Sequence, residues 1–157
     1  LFTYFGDNRS PGMGIHETAR GGNLILRNVF NSLHSGDRDC PPFFVFEKEG
    51  SWRDVIFRGL AVPGSPSVEQ SQELVRYWDN SGEEAFQNYR AIFSILDTPF
   101  VHRRWLSELY SGNDLGLHCP IAWRRWREDG GGDSIESSHN GEGPSSDPMA
   151  AARRLLG

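Results

Sequence analysis

The chain has 157 residues, 37% of them hydrophobic and 12% aromatic, and a formal net charge of −5. This length and apolar content predict one domain with its own core, and no apolar stretch approaches the ~20 residues that a membrane helix needs. Cys40 and Cys119 stand far apart with no paired Cys/His spacing, which argues against a structural zinc site.

The charge is unevenly distributed. Residues 128–157 carry −4 of it, so the rest of the chain is nearly neutral, and Lys48 is the only lysine among 16 basic residues. Arginine suits planar, bidentate contact with phosphates and base edges, although a GC-rich genome gives the same bias. A nearly neutral domain predicts modest non-specific affinity for nucleic acid. Because no signal peptide is visible, we expect a cytoplasmic protein.

The N-terminal third contains a strand, a long loop and a helix. Leu1–Phe5 is apolar with aromatic and β-branched residues, which favours a strand. Residues 6–22 hold five glycines and a proline, and this loop is too long to be a simple connector. Asn23–Leu33 has the apolar spacing of a helix. Since the chain begins on Leu1 within a predicted strand, we expect a fragment of a longer protein.

The middle of the chain is rich in strand signals. Pro42–Lys48 and Asp54–Val62 flank a Glu-Gly-Ser turn and predict a hairpin. Val68–Asp79 is ambiguous, because its first half favours a helix and its second half a strand. Phe86–Leu96 alternates well enough to predict another strand.

Two helices and a polar tail complete the chain. We predict one helix that starts at Thr98-Pro99 and a second over Cys119–Glu128, each with proline in the first turn. The predicted domain covers residues 1–129, a disordered Gly/Ser/acidic linker covers 130–148, and 149–157 begin a following segment. Strands and helices without regular alternation predict an α+β fold, a curved antiparallel sheet or barrel with flanking helices.

Catalytic motifs are scarce. A metal-dependent nuclease needs an acid followed by a strand with acid-x-Lys; Asp39, Glu47 and Glu49 are the nearest candidates, but their order is wrong and Glu47 lies near a predicted hairpin tip. There is no G-x-S-x-G elbow and no phosphate-binding glycine pattern. We predict no cofactor.

The long loop offers polar side chains suited to a DNA groove. Arginine and asparagine read base edges, and an aromatic side chain from the preceding strand, Tyr4 or Phe5, can stack on a base. The alternative interpretation is an unusually long surface loop with no role in binding. The candidate loop residues are Asp7, Asn8, Arg9, His16 and Arg20.

The segment LFTYFGDNRSPG…GGN resembles the pattern F-F-T-Y-T-G-x-G-G-x-D-L-S-G-N-K-R of SRA (SET- and RING-associated) domains. Phe2, Thr3, Tyr4 and Gly6 match in place, and Gly22-Asn23 fit the later Gly-Asn. Residues 1–127 are similar to the N-terminal, SRA-like domain of modification-dependent restriction endonucleases of the AspBHI/MspJI kind, with PPFFVFEK, RDVIFRGLAVPG, FQNYRAIFSILD and CPIAWRRW.

The resemblance implies an SRA/PUA-like curved β-barrel that flips a modified cytosine into a pocket. Tyr4 matches the family's stacking tyrosine. The family's pocket acid lies upstream of this strand, so Asp7 is the nearest substitute. Asn23 matches the first residue of the family's Asn-Lys-Arg finger, but the lysine and arginine are absent here, which leaves Arg9 or Arg20 to fill the space of the flipped base.

Three hypotheses follow. In the first, the chain is a non-enzymatic reader of 5-methylcytosine or 5-hydroxymethylcytosine in double-stranded DNA, with a nuclease domain in the same polypeptide and no membrane partner. In the second, Asp39, Glu47 and Glu49 make the chain itself a nuclease. In the third, it binds protein or RNA through exposed Trp105, Trp123 and Trp126; we expect these three tryptophans to be mostly buried.

Overall fold

A computed structural model of the chain describes residues 1–50 and 52–128. Within them the elements, in chain order, are β1 (Phe2–Phe5), α1 (Gly22–His34), β2 (Phe43–Lys48), β3 (Val55–Pro63), α2 (Gln70–Glu73), β4 (Leu74–Asp79), β5 (Phe86–Ile95), α3 (Arg103–Tyr110) and α4 (Ile121–Glu128). The predicted linker, 130–148, and the predicted following segment, 149–157, lie outside the described residues. No helix in the described ranges is both long and apolar enough to cross a membrane.

The five strands form one antiparallel sheet around β5. Its order is β1-β5-β3-β2, and β4 also pairs with β5. Both β1 and β4 pair with Arg90 and Ala91, so they lie on opposite sides of β5. The β2–β3 pairing shifts register after Val45, opposite Gly59 with φ 135°, and such bulges bend a sheet. The result is a curled half-barrel with flanking helices, which confirms the predicted α+β class.

Helix α1 covers one face of this sheet. Its apolar spacing brings Leu26 and Phe30 against Ala91 and Phe93, and the Phe30 and Phe93 rings meet edge to face at 5.5 Å. Ile15, from the long loop, is buried in the same cluster. The loop is therefore part of the core on this side and not a simple surface excursion.

Helices α3 and α4 cover the other face. Consecutive residues of a strand point to opposite sides, so Leu60 and Val62 pack here while Ala61 faces α1. Trp105 and Trp123 are fully buried in this second cluster, and Trp126 is half-buried. The hypothesis that these tryptophans form an exposed binding surface is wrong for the first two.

One predicted boundary is corrected and one ambiguous segment is resolved. Helix α3 begins at Arg103 and not at Thr98-Pro99, because His102 provides the cap: its Nδ1 accepts a hydrogen bond from the Arg104 backbone N–H at 3.1 Å. The ambiguous Val68–Asp79 segment contains both predicted structures, the short helix α2 followed directly by β4. Both the β2–β3 hairpin and the long strand β5 are confirmed.

Candidate nucleic-acid interface

Buried side-chain amides fix the end of β1. The Asn23 Nδ2 donates to Asn88 Oδ1 at 3.0 Å, and Asn88 Nδ2 donates to the backbone oxygens of Gly6 and Asn8 at 3.1 and 3.0 Å. Both asparagine side chains are buried. A polar group without water must be satisfied inside the protein, and each amide here bonds to the other or to backbone. This amide network connects β1, the loop, α1 and β5.

Asp7 joins the two ends of the long loop. Its Oδ2 accepts hydrogen bonds from Thr18 Oγ1 and the Gly22 N–H, and its Oδ1 accepts one from the Asn23 N–H, each at 2.9 Å. Burial pushes the pKa of the Asp7 carboxyl up, but these three hydrogen bonds outweigh it and hold the pKa below its usual range. The carboxylate thus caps the first turn of α1, where the helix dipole favours an anion.

The structure corrects two of the predicted DNA contacts. Asn23 is 0% exposed and Asn8 is 3% exposed, and the Asn8 Nδ2 donates to the Gln87 oxygen at 2.9 Å. Side chains so enclosed and bonded hold the loop in place, which gives Asn8 and Asn23 a positioning role within the protein. Asp7, with three donors already on its carboxylate, has the same positioning role. Hydrogen bonds within the fold therefore account for the polar residues of Asp7-Asn8 and Gly22-Asn23.

Replacing Asp7 by alanine is expected to cost about 1–2 kcal/mol of stability near neutral pH. Because the folded-state pKa of Asp7 is lowered, its contribution is present above the unfolded-state value and is lost as the pH falls through the folded-state value. Urea unfolding of wild type and variant at about pH 7 and about pH 3 measures this. The difference should shrink in acid; exposed Asp97→Ala is the control, and a pH-independent deficit would contradict the capping role.

The other predicted loop residues differ in exposure. Arg9 and Arg20 are exposed, and Tyr4 is 40% exposed. The Tyr4 ring lies beside the ring of Phe2, with centroids 6.4 Å apart, on the face of β1 that packs towards α1. Phe5 points to the opposite face, where its ring meets Tyr77 edge to face at 6.0 Å. The structure therefore separates Tyr4 from Phe5.

A wide groove opens on the Phe5 face. It has a volume of about 930 Å³ and lies between the start of the long loop and the β4–β5 turn. Phe5, Tyr77 and Trp78 supply aromatic lining, and Asn8 and Arg9 line the loop side. Pockets of 300–1,000 Å³ are typical of small-ligand sites. The groove also contains carboxylates on its turn side: Asp79, Glu83 and Glu84.

The Asp79 carboxylate is held by a neighbouring residue of the β4–β5 turn. Its Oδ1 accepts hydrogen bonds from the Ser81 N–H at 2.9 Å and the Ser81 hydroxyl at 2.6 Å. Those two bonds lower the pKa of Asp79, so the side chain is an oriented anion at neutral pH. The groove therefore offers hydrogen-bond acceptors beside aromatic rings.

His16 lies elsewhere, on the α1 side of the sheet. Its Nε2 is 2.9 Å from the Tyr89 hydroxyl, and the two rings are stacked with centroids 5.7 Å apart. Burial lowers the pKa of His16, and the nearby Arg27 and Arg76 lower it further, so the imidazole is neutral near pH 7. The structure thus separates His16 from the groove residues Asn8 and Arg9.

Sequence reasoning missed the partners from β4 and β5. Asn88, Tyr89 and Arg76 belong to strands, and their alternation predicted only which residues share a face. Because β5 also carries Gln87, Arg90 and Ser94, its sequence alone does not mark Asn88 as a buried, hydrogen-bonded residue. The partners of Asn88 lie 65 residues or more away in sequence, apart from Tyr89.

The predicted nuclease acids do not form a metal site. Asp39 pairs with Arg127 at 3.2 Å, and Glu47 pairs with Arg58 on the β2–β3 hairpin at 2.5 Å. In residues 1–50 and 52–128, no group of three or more His, Cys, Asp and Glu side chains is arranged to hold a metal ion. Glu49 follows β2 and is exposed.

The chain is similar to known proteins over most of its length. A family model described as the N-terminal part of the restriction endonuclease AspBHI matches residues 1–137. The solved structure of the DNA modification-dependent restriction endonuclease AspBHI is similar with a TM-score of 0.76 and 42% identity, over 83% of this chain and 34% of that one. The DNA recognition domain of the cytosine modification-dependent restriction endonuclease LpnPI is similar with a TM-score of 0.69 and 36% identity, over 80% of this chain and 58% of that one. No curated protein matches.

Proposed function

Because this chain belongs to the family of AspBHI-type N-terminal domains, as the resemblance of residues 1–127 predicted, we propose that it is a DNA-recognition module that reads modified cytosine. AspBHI is a DNA modification-dependent restriction endonuclease, and the similar part of LpnPI is the DNA recognition domain of a cytosine modification-dependent restriction endonuclease. The chain spans only part of both relatives, and we assign DNA cleavage to another domain of the same polypeptide.

The groove between the long loop and the β4–β5 turn supports this proposal best. An enzyme or reader that inspects one base takes it out of the duplex and holds it by stacking and by hydrogen bonds to its edge. The volume of about 930 Å³ accommodates a base. Phe5 and Tyr77 meet at 79°, so they present one ring face and one ring edge and do not form a parallel sandwich. Trp78 is 60% exposed at the same groove.

The charge of the groove favours a base over a phosphate. Asp79, Glu83 and Glu84 repel the DNA backbone, whereas a carboxylate accepts a hydrogen bond from the exocyclic amino group of cytosine. Asp79 is the acid that we assign to this contact, because Ser81 holds it oriented and ionised. Asp79 thus replaces Asp7 as our candidate for the acid of the base pocket. We assign to Arg9, which also lines this groove, the part of filling the gap left in the duplex.

One experiment tests both binding and base flipping. It uses matched duplexes that carry cytosine, 5-methylcytosine or 5-hydroxymethylcytosine. Fluorescence anisotropy at two salt concentrations gives affinity, and 2-aminopurine beside the target base reports unstacking. We expect tighter binding and a fluorescence rise only for a modified duplex. Equal binding to all three, at both salt concentrations, would exclude the reader function.

Phe5→Ala and Tyr4→Ala are a matched pair on opposite faces of β1. Loss of one base-stacking ring costs about 1–3 kcal/mol, or roughly 5- to 150-fold in affinity. We expect this loss for Phe5→Ala on modified DNA, and a smaller one for Tyr4→Ala. If Tyr4→Ala alone weakens binding, the base is held on the other face, as the sequence resemblance implies, and the groove assignment is wrong. Asp79→Asn tests the acid through the ratio of modified to unmodified affinity.

A further inference from the structure

Four elements bring a row of side chains together on the α1 side of the sheet. Arg27 of α1 places its Nη1 3.4 Å from His16 Nδ1. His16 Nε2 is 2.9 Å from the Tyr89 hydroxyl of β5. Arg76 of β4 places its guanidinium carbon 6.0 Å from the centre of the Tyr89 ring. The row therefore has an arginine at each end and the His16–Tyr89 pair in the middle.

The centre of this row carries no charge. An arginine side chain donates hydrogen bonds and never accepts them, so the His16 Nδ1 facing Arg27 is the acceptor and the ring proton lies on Nε2. That proton is donated to the Tyr89 hydroxyl. The neutral imidazole and phenol keep the two guanidinium groups apart without compensating their charge.

The two arginines also lack acidic partners. In the described ranges, Arg58, Arg124 and Arg127 each form an ion pair with a carboxylate, whereas neither Arg27 nor Arg76 does. Arg27 is half-buried and Arg76 is exposed, so both are open to solvent. Arg27 donates to the neutral Asn28 Oδ1 at 3.3 and 3.4 Å, so neither guanidinium charge is compensated. Guanidinium groups held on a helix and a strand complement the geometry and charge of phosphate oxygens.

We propose that Arg27 and Arg76 contact the phosphate backbone of the bound duplex, with the His16–Tyr89 pair as the spacer that positions them. This inference rests on the proposed DNA-reading function and extends it to a second surface. The acidic groove excludes phosphates, and β4 forms the edge of the sheet between the two surfaces: Tyr77 faces the groove and Arg76 faces the arginine row. A duplex that crosses this edge delivers a base to one side and its backbone to the other.

The test uses Arg27→Gln, Arg76→Gln and the double variant, with Arg103→Gln as the control. Arg103 is an exposed arginine on α3, so its replacement removes the same charge from another face. We expect each test variant to weaken binding to modified and unmodified duplexes alike, by about three- to tenfold, and to reduce the slope of log affinity against log salt by about 1. Thermal unfolding should stay unchanged for all four proteins.

The outcomes separate this inference from the proposed function. An unchanged salt slope in the double variant, or an equal change in Arg103→Gln, would overturn the assignment of the two arginines. If wild type binds DNA without preferring modified cytosine, the base-reading function fails while the slopes still decide the backbone contacts. Inorganic phosphate at matched ionic strength should compete no better than chloride; selective displacement would assign the site to free phosphate and overturn the backbone assignment.

Discussion

Replacing Gly6 by alanine is expected to cost about 3 kcal/mol of folding free energy and to release the long loop. A Cβ on Gly6 would lie 2.9 Å from Asn23 Cγ and would overlap the Oδ1 atoms of both Asn23 and Asn88. These are buried side chains that bond to one another, so neither can move without leaving a polar group unsatisfied. Urea unfolding gives the free energy, and limited proteolysis reports cleavage within residues 6–21.

Gly82→Ala is the matched control for this change. It lies in the β4–β5 turn, and a Cβ there would have only the Glu84 oxygen, at 4.0 Å, within reach. We expect its stability and its proteolysis pattern to equal those of wild type. If Gly6→Ala is as stable as Gly82→Ala, the amide network is not the constraint that requires glycine at the end of β1.

Replacing Asn88 by aspartate is expected to cost about 3–5 kcal/mol near neutral pH. The shape is retained, but the Nδ2 that donates to the oxygens of Gly6 and Asn8 becomes a carboxylate oxygen facing two carbonyls. The Oδ1 would keep its donors, Asn23 Nδ2 and the Tyr89 N–H, but burial and the two facing carbonyls should raise the pKa of the carboxyl, so that it binds a proton more readily in the folded protein. The deficit relative to wild type should therefore be largest above the raised pKa and should shrink as the pH falls through it.

Unfolding in urea across the acidic and neutral range measures that dependence for wild type and variant. Asn80→Asp, at an exposed position of the β4–β5 turn, makes the same chemical change in water and should show almost no deficit at any pH. A deficit in Asn88→Asp that does not change with pH would mean that the carboxylate is not enclosed as the structure has it.

Local patterns were sufficient for the elements of the fold. The apolar spacing of Leu26 and Phe30, the turn between β2 and β3, and the alternation along β5 each involve residues close in sequence, and all three elements are confirmed. The predicted start of α3 was wrong because proline is also common in extended segments. The capping hydrogen bond of His102 cannot be read from the sequence.

The site was less accessible to sequence reasoning. Polar residues in a glycine-rich loop indicate exposure, yet Asn8 and Asn23 are buried because Asn88 and Gln87, on a distant strand, satisfy them. A single sequence contains no record of such pairings. The groove was missed for the same reason: Phe5 and Asp79 belong to segments that meet only after β4 and β1 have both paired with β5.

The bond between Asp7 and Gly22 closes the long loop into a ring whose ends are held independently of its interior. Within that interior, Asn8 bonds to Gln87 and Asn88 of β5, and Ile15 and His16 contact the sheet further along the loop. Lengthening the loop costs little, since closure entropy grows slowly with length. We therefore expect residues 9–14 to tolerate changes in length and sequence better than the two anchored ends of the loop.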